Sequence, residues 1–124
     1  MLLAISGAAN EVSLPLVQKA DGEPITSGTV NFYLKAVSGD NDGKWYKGAT
    51  TSWDAALQIA GAATHDDDGH WYLSLPTAVW TAGVRYKLLG KESGDLHIPV
   101  QRQVICIDGN ALDGTTKELL QAAR

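Results

Sequence analysis

The densest group of side chains able to do chemistry is His65-Asp66-Asp67-Asp68-Gly69-His70. Its carboxylates and imidazoles could ligate a cation. Hard carboxylate oxygens suit calcium, while imidazole nitrogens suit zinc or nickel. The spacing is not that of an EF-hand, whose longer loop closes on a glutamate. A solvated hairpin turn uses the same residue types, because Asp tolerates the left-handed region and Gly adopts positive φ without steric cost. The turn is the simpler reading. Asp66, Asp67 and Asp68 are the metal candidates should it fail, and Asp40, Asn41 and Asp42 carry the same pair of readings. No cofactor is expected.

Nucleophilic chemistry has less support. Cys106 sits in Val104-Ile105-Cys106-Ile107, and a cysteine in an apolar run behaves as a small buried hydrophobe. It has no histidine beside it in sequence; His97 lies next to a predicted edge strand. As the single cysteine it forms no intrachain disulfide, which leans toward an intracellular origin. The serines lack a nucleophile-elbow pattern, and neither a phosphate-cradling glycine loop nor an acid–base pair in apolar context occurs. An enzyme is not expected.

The chain carries 4 tryptophans in 124 residues. Indoles on β-sandwiches stack on sugars and also anchor protein interfaces. Trp71 alternates in step with Leu73 and Leu75, which predicts a core position. Trp45 and Trp53 flank a Gly- and Thr-rich loop and are the interaction candidates, together with Leu119 and Leu120 of the C-terminal tail.

The elements that must position these residues are short strands. Asp-Gly pairs fall at residues 21, 42, 68, 108 and 113, and each favours a tight turn. Between them the sequence alternates with period two, as half-buried strands do. Val12, Leu14 and Leu16 share one face of the first run, and Pro15 assigns it to an edge. Val30, Phe32, Leu34 and Ala36 form the clearest inward face. A short strand is predicted around Lys44–Lys47, then strands over His70–Leu75, Val84–Leu88 and Leu96–Ile107, with Pro99 placing the start of the last at an edge or bulge. Residues 51–64 fit helical and strand spacing equally, and strand is preferred because the neighbours are strands. Thr115-Thr116-Lys117-Glu118 matches a capping box and predicts a short C-terminal helix that must dock to be stable.

Composition narrows the function classes. The net charge is −4, with Lys and Arg scattered along the chain. A nucleic-acid binder shows a basic patch or stripe, so nucleic acid is not an expected partner. No apolar run is long enough to span a membrane, and the N-terminus lacks the positive region of a signal peptide. The predicted organisation is an N-terminal segment at 1–11, a β-sandwich domain at 12–108 and a helical tail at 109–124. The fold class is all-β, an antiparallel two-sheet sandwich of about seven strands.

Two segments carry a family resemblance. Asp68-Gly69-His70-Trp71-Tyr72-Leu73-Ser74-Leu75, followed by Gly83-Val84-Arg85-Tyr86-Lys87-Leu88, resembles the D-G-x-Y-x-L-x-L and G-x-x-Y-x-L pair of immunoglobulin-like and carboxypeptidase-regulatory-like sandwiches. Asp21-Gly22-Glu23-Pro24-Ile25-Thr26-Ser27-Gly28-Thr29-Val30 is similar to their D-G-x-P-I-x-G-x-V lead-in to a strand. Freestanding short sandwiches of this style occur among bacteriophage virion proteins as neck, tail or head pieces. The resemblance implies a structural, non-catalytic module, homo-oligomeric or bound to other virion proteins, in a virion or the host cytoplasm. A carbohydrate-binding sandwich, stabilised by calcium through Asp66, Asp67 and Asp68, is the alternative. The paired cysteines of antibody domains are missing, so no immune-type role is implied.

Overall fold

The computed structural model describes residues 2–67, 69–95 and 97–109. Among these residues the strands are β1 (Leu2–Ile5), β2 (Asn10–Pro15), β3 (Val30–Ala36), β4 (Trp45–Lys47), β5 (Ser52–Asp54), β6 (Gly61–Ala62), β7 (Thr64–His65), β8 (His70–Leu75), β9 (Arg85–Glu92) and β10 (Val100–Ile107). They form two sheets. The larger has 7 strands in the order β1-β10-β9-β3-β4-β5, with β6 also on β3. The smaller has 3, in the order β2-β8-β7.

Alternation decides which side chains meet between the layers. Val30, Phe32, Leu34 and Ala36 of β3 face inward with Tyr86 and Leu88 of β9 and Val104 and Cys106 of β10, all buried. Val12, Leu14, Trp71 and Leu75 close the core from the smaller sheet. Burying each such aliphatic or aromatic side chain is worth about 1.5–3 kcal/mol, so this shared face holds the layers together.

The architecture is the expected all-β, sandwich-like one, with two corrections. The larger sheet is mixed, because β1 runs parallel to β10, with Leu2 opposite Val104 and Ile5 opposite Ile107. The first residues therefore belong to the sheet and not to a segment ahead of it. Asn10 makes the transfer from one sheet to the next. Its buried amide accepts from the Ile5 N–H at 3.0 Å and donates to the carbonyls of Ile5 at 2.9 Å and Ala8 at 3.1 Å. The second correction is strand number: ten among the described residues, because β1 adds one and the region of residues 51–64 divides into three short pieces. Ala60 N–H bonds to the Phe32 carbonyl and holds this segment extended, so helical spacing loses to sheet pairing.

Proline and glycine act largely as their chemistry dictates. Pro15 does lie on an edge strand, since β2 is the outer strand of its sheet. Pro99 lies just outside β10, an interior strand between β1 and β9, where a missing N–H would break a ladder. Gly22, Gly43 and Gly69 of the Asp-Gly pairs have φ of 73°, 84° and 80°. At Gly69 a side chain would also meet Pro24 and the Leu16 carbonyl, so this turn packs against the β2–β3 connection. The predicted C-terminal helix, with Leu119 and Leu120, lies outside the described residues. Among those described, no helix is long and apolar enough to cross a membrane.

Candidate functional site

The His65–His70 segment is a closed hairpin turn. Asp66 N–H donates to the His70 carbonyl at 2.8 Å and His70 N–H donates to the Asp67 carbonyl at 2.9 Å. His65 Nε2 accepts from Gly69 N–H at 3.2 Å, so its lone pair is committed to the turn. His65 also packs on the Trp71 ring, with centroids 5.2 Å apart. The two histidines stand on opposite faces. His65 pairs with Trp71, while His70 pairs with Pro15 one place along, and neighbouring strand residues point oppositely. One ion cannot take both. Asp66 and Asp67 are exposed, and Asp68 lies outside the described residues. Among the described residues no three His, Cys, Asp or Glu side chains converge to hold a metal.

Sheet register separates the interaction candidates in the same way. Trp45 pairs with Asp54, and Tyr46 pairs with Trp53. Trp45 therefore lies on the outer face of the larger sheet and Trp53 on the inner face, and they cannot form one stacking platform. Both are half-buried. Trp45 carries the Lys35 ammonium 5.5 Å from its ring centroid, a cation–π contact. Trp53 continues an inner aromatic row, edge-on to Tyr46 at 5.4 Å and stacked on Tyr86 at 6.1 Å. Trp80 adds an edge contact to Tyr86 at 5.1 Å. Trp71 is in the core as expected, with its indole N–H donating to the Ile25 carbonyl at 2.9 Å.

Tyr86 is the most heavily used polar side chain in this region. Its hydroxyl donates to the Val79 carbonyl at 2.9 Å and accepts from Thr81 N–H at 3.0 Å. It thereby ties the connection between β8 and β9 to the start of β9. Burial pushes its pKa above the ordinary phenol value. The Tyr46 hydroxyl is equally buried but has no hydrogen-bond partner among the described residues, and burial raises its pKa too. Cys106 is buried, and burial, with Asp108 nearby, raises its thiol pKa. A buried thiol held protonated is a poor nucleophile.

Two surface features went unread in the sequence. The first follows β5. Asp54 accepts from Ala56 N–H at 3.0 Å and turns the chain outward, leaving Leu57 and Ile59 at 48% and 47% exposure. Ala60 is buried again and the Ile59 carbonyl accepts from Gly48 N–H at 3.1 Å, so an apolar spur projects from the connection between β5 and β6. The second is a hollow of about 80 Å³ lined by Ser38, Asp40, Asn41, Trp53, Thr81 and Tyr86. A short apolar run at a strand edge was the available signal for the spur. The hollow draws on three separate stretches of sequence and had none. Compared with known protein families, curated proteins and solved structures, the chain matches none.

Proposed function

We propose that this chain is an immunoglobulin-like interaction module that works by protein–protein assembly, as a structural component of a phage or prophage virion. The exposed spur of Leu57 and Ile59 carries the assembly reading, and β5 ends the strand order of the larger sheet. A strand edge is a template for pairing with another chain, and exposed apolar side chains mark interaction surfaces.

The strand order supports the immunoglobulin-like part. One sheet places β1 parallel to β10 and then continues β9, β3, β4; the facing sheet holds β2, β8 and β7. Tyr86 supports it further. A tyrosine near the start of a late strand, bonded back to backbone just upstream, is the corner typical of such sandwiches. Buried Leu88, two residues on, stands where antibody-type domains carry their second cysteine. The virion setting rests on the resemblance of residues 21–30 and 68–88 to modules of that style.

The glycan-binding alternative has one observation in its favour, the hollow beside Trp53 with its polar rim. Its volume is far below the roughly 300 Å³ at which small-molecule sites begin, so assembly is the better supported reading.

The test is light scattering coupled to size exclusion over a wide concentration range. The full chain should form a defined oligomer, and Leu57→Ser/Ile59→Ser should weaken it with the fold intact. A strict monomer at every concentration, unchanged by deleting residues 113–124, would sink the assembly reading.

A further inference from the structure

Sheet pairing gathers cations that are scattered in the sequence. The outward-facing residues of β3, β4 and β9 include Lys35, Lys47, Arg85, Lys87 and Lys91, and among the described strand residues of that face one is a carboxylate, Asp54. Lys35 lies directly opposite Lys87. Like charges opposite one another across strands are destabilising. Within the described residues, none of the five cations has a carboxylate at ion-pair distance. Asp54 is engaged with Ala56 N–H and Gln58. The chain has 14 acidic residues, so this uncompensated face is not forced by composition.

Much of the opposing charge lies at one end of the sandwich. The β2–β3, β7–β8 and β9–β10 connections are bonded together there, through Leu16 to Gly69 and Gln18 to His97. They expose Asp21, Glu23, Asp66, Asp67 and Asp95. Lys19 is the cation among them, 3.5 Å from Asp95.

We propose that the basic outer face of the larger sheet docks the acidic loop end of a second copy of this chain. The inference rests on the assembly reading above and adds to it a charged contact distinct from the Leu57 and Ile59 spur. Complementary charge selects the occupant: one copy offers the face and the next offers the end. The two surfaces share no residue, so the contact is head-to-tail and propagates to a ring or filament. The lysines are partly pre-positioned, with Lys35 over Trp45 and Lys91 5.2 Å from the Tyr33 centroid. Those rings are covered by ammonium groups and are not free for base stacking, the feature that single-stranded nucleic acid requires.

The experiment uses the full-length chain and two variants, Lys35→Glu/Lys87→Glu on the face and Asp66→Lys/Asp67→Lys at the end. Thermal melts first check that both fold. Wild type should associate at about 50 mM salt and dissociate toward about 500 mM, where the Debye length is short. Each variant alone should associate at least about tenfold more weakly. Mixed, they should form a 1:1 dimer, because the face variant keeps its end and the end variant keeps its face. A face variant that associates like wild type overturns this contact and leaves the assembly reading standing. Wild type that stays monomeric at low salt removes both. A labelled oligonucleotide bound by wild type and lost on Lys35→Glu/Lys87→Glu, without any self-association, makes the face a nucleic-acid surface and overturns the proposal.

Discussion

Tyr46 and Tyr86 are the same residue type, both buried, and they pull stability in opposite directions. The Tyr86 hydroxyl satisfies Val79 and Thr81. Removing it strands a buried carbonyl and a partly buried N–H, each of which costs about 1–3 kcal/mol when left unpaired. The Tyr46 hydroxyl is buried without a partner among the described residues, so its removal relieves a desolvation cost on the order of 1–3 kcal/mol. Tyr86→Phe should therefore lower the urea midpoint, and Tyr46→Phe should leave it unchanged or raise it. Equal losses in the two variants would mean that the difference in hydrogen bonding carries no weight. The sequence placed both tyrosines in or beside strands. It could not separate them, because Val79 and Thr81 reach Tyr86 only through the turn at Thr77–Val79.

Strands were the most legible elements, since period-two alternation is written locally. Their pairing was not. The parallel match of β1 with β10 joins the two ends of the described chain, and no local pattern encodes it. The same limit applies to the candidate sites. Trp45 and Trp53 are close in sequence, yet the β4–β5 register sends them to opposite faces. His65 and His70 flank an Asp-Gly turn that was read correctly, and the hairpin it makes is what parts them. Register also creates the Lys35–Lys87 pair, which makes a prediction at this scale. Lys87→Glu turns a repulsive cross-strand pair into an attractive one, worth about 0.2–1 kcal/mol. In dilute solution, where self-association adds nothing, its urea midpoint should rise with an unchanged slope. A fall would mean that the Lys87 stem contributes more by packing on the sheet than its charge costs.

At the scale of the whole molecule, three buried protons among the described residues make stability fall in alkali. Burial raises the pKa of Cys106 above its ordinary 9.0 and those of Tyr46 and Tyr86 above 10.0. The unfolded chain releases these protons first. As pH climbs past the ordinary values the unfolded state binds fewer protons than the native state, and stability falls with pH. The contribution is intact below about pH 8.5 and is lost progressively from there, thiol first and phenols after. An acidic chain gains further negative charge over the same range, which adds self-repulsion. Denaturant midpoints should thus be flat from neutral pH to about 8.5 and decline steadily beyond it. Cys106→Ala should delay the onset, because it removes the group that titrates first, whatever it costs in packing at neutral pH. Tyr86→Phe should flatten the later part. A wild-type midpoint that holds level through about pH 10.5 would show that the three groups titrate alike in the folded and unfolded chain, and that their burial is not maintained in solution.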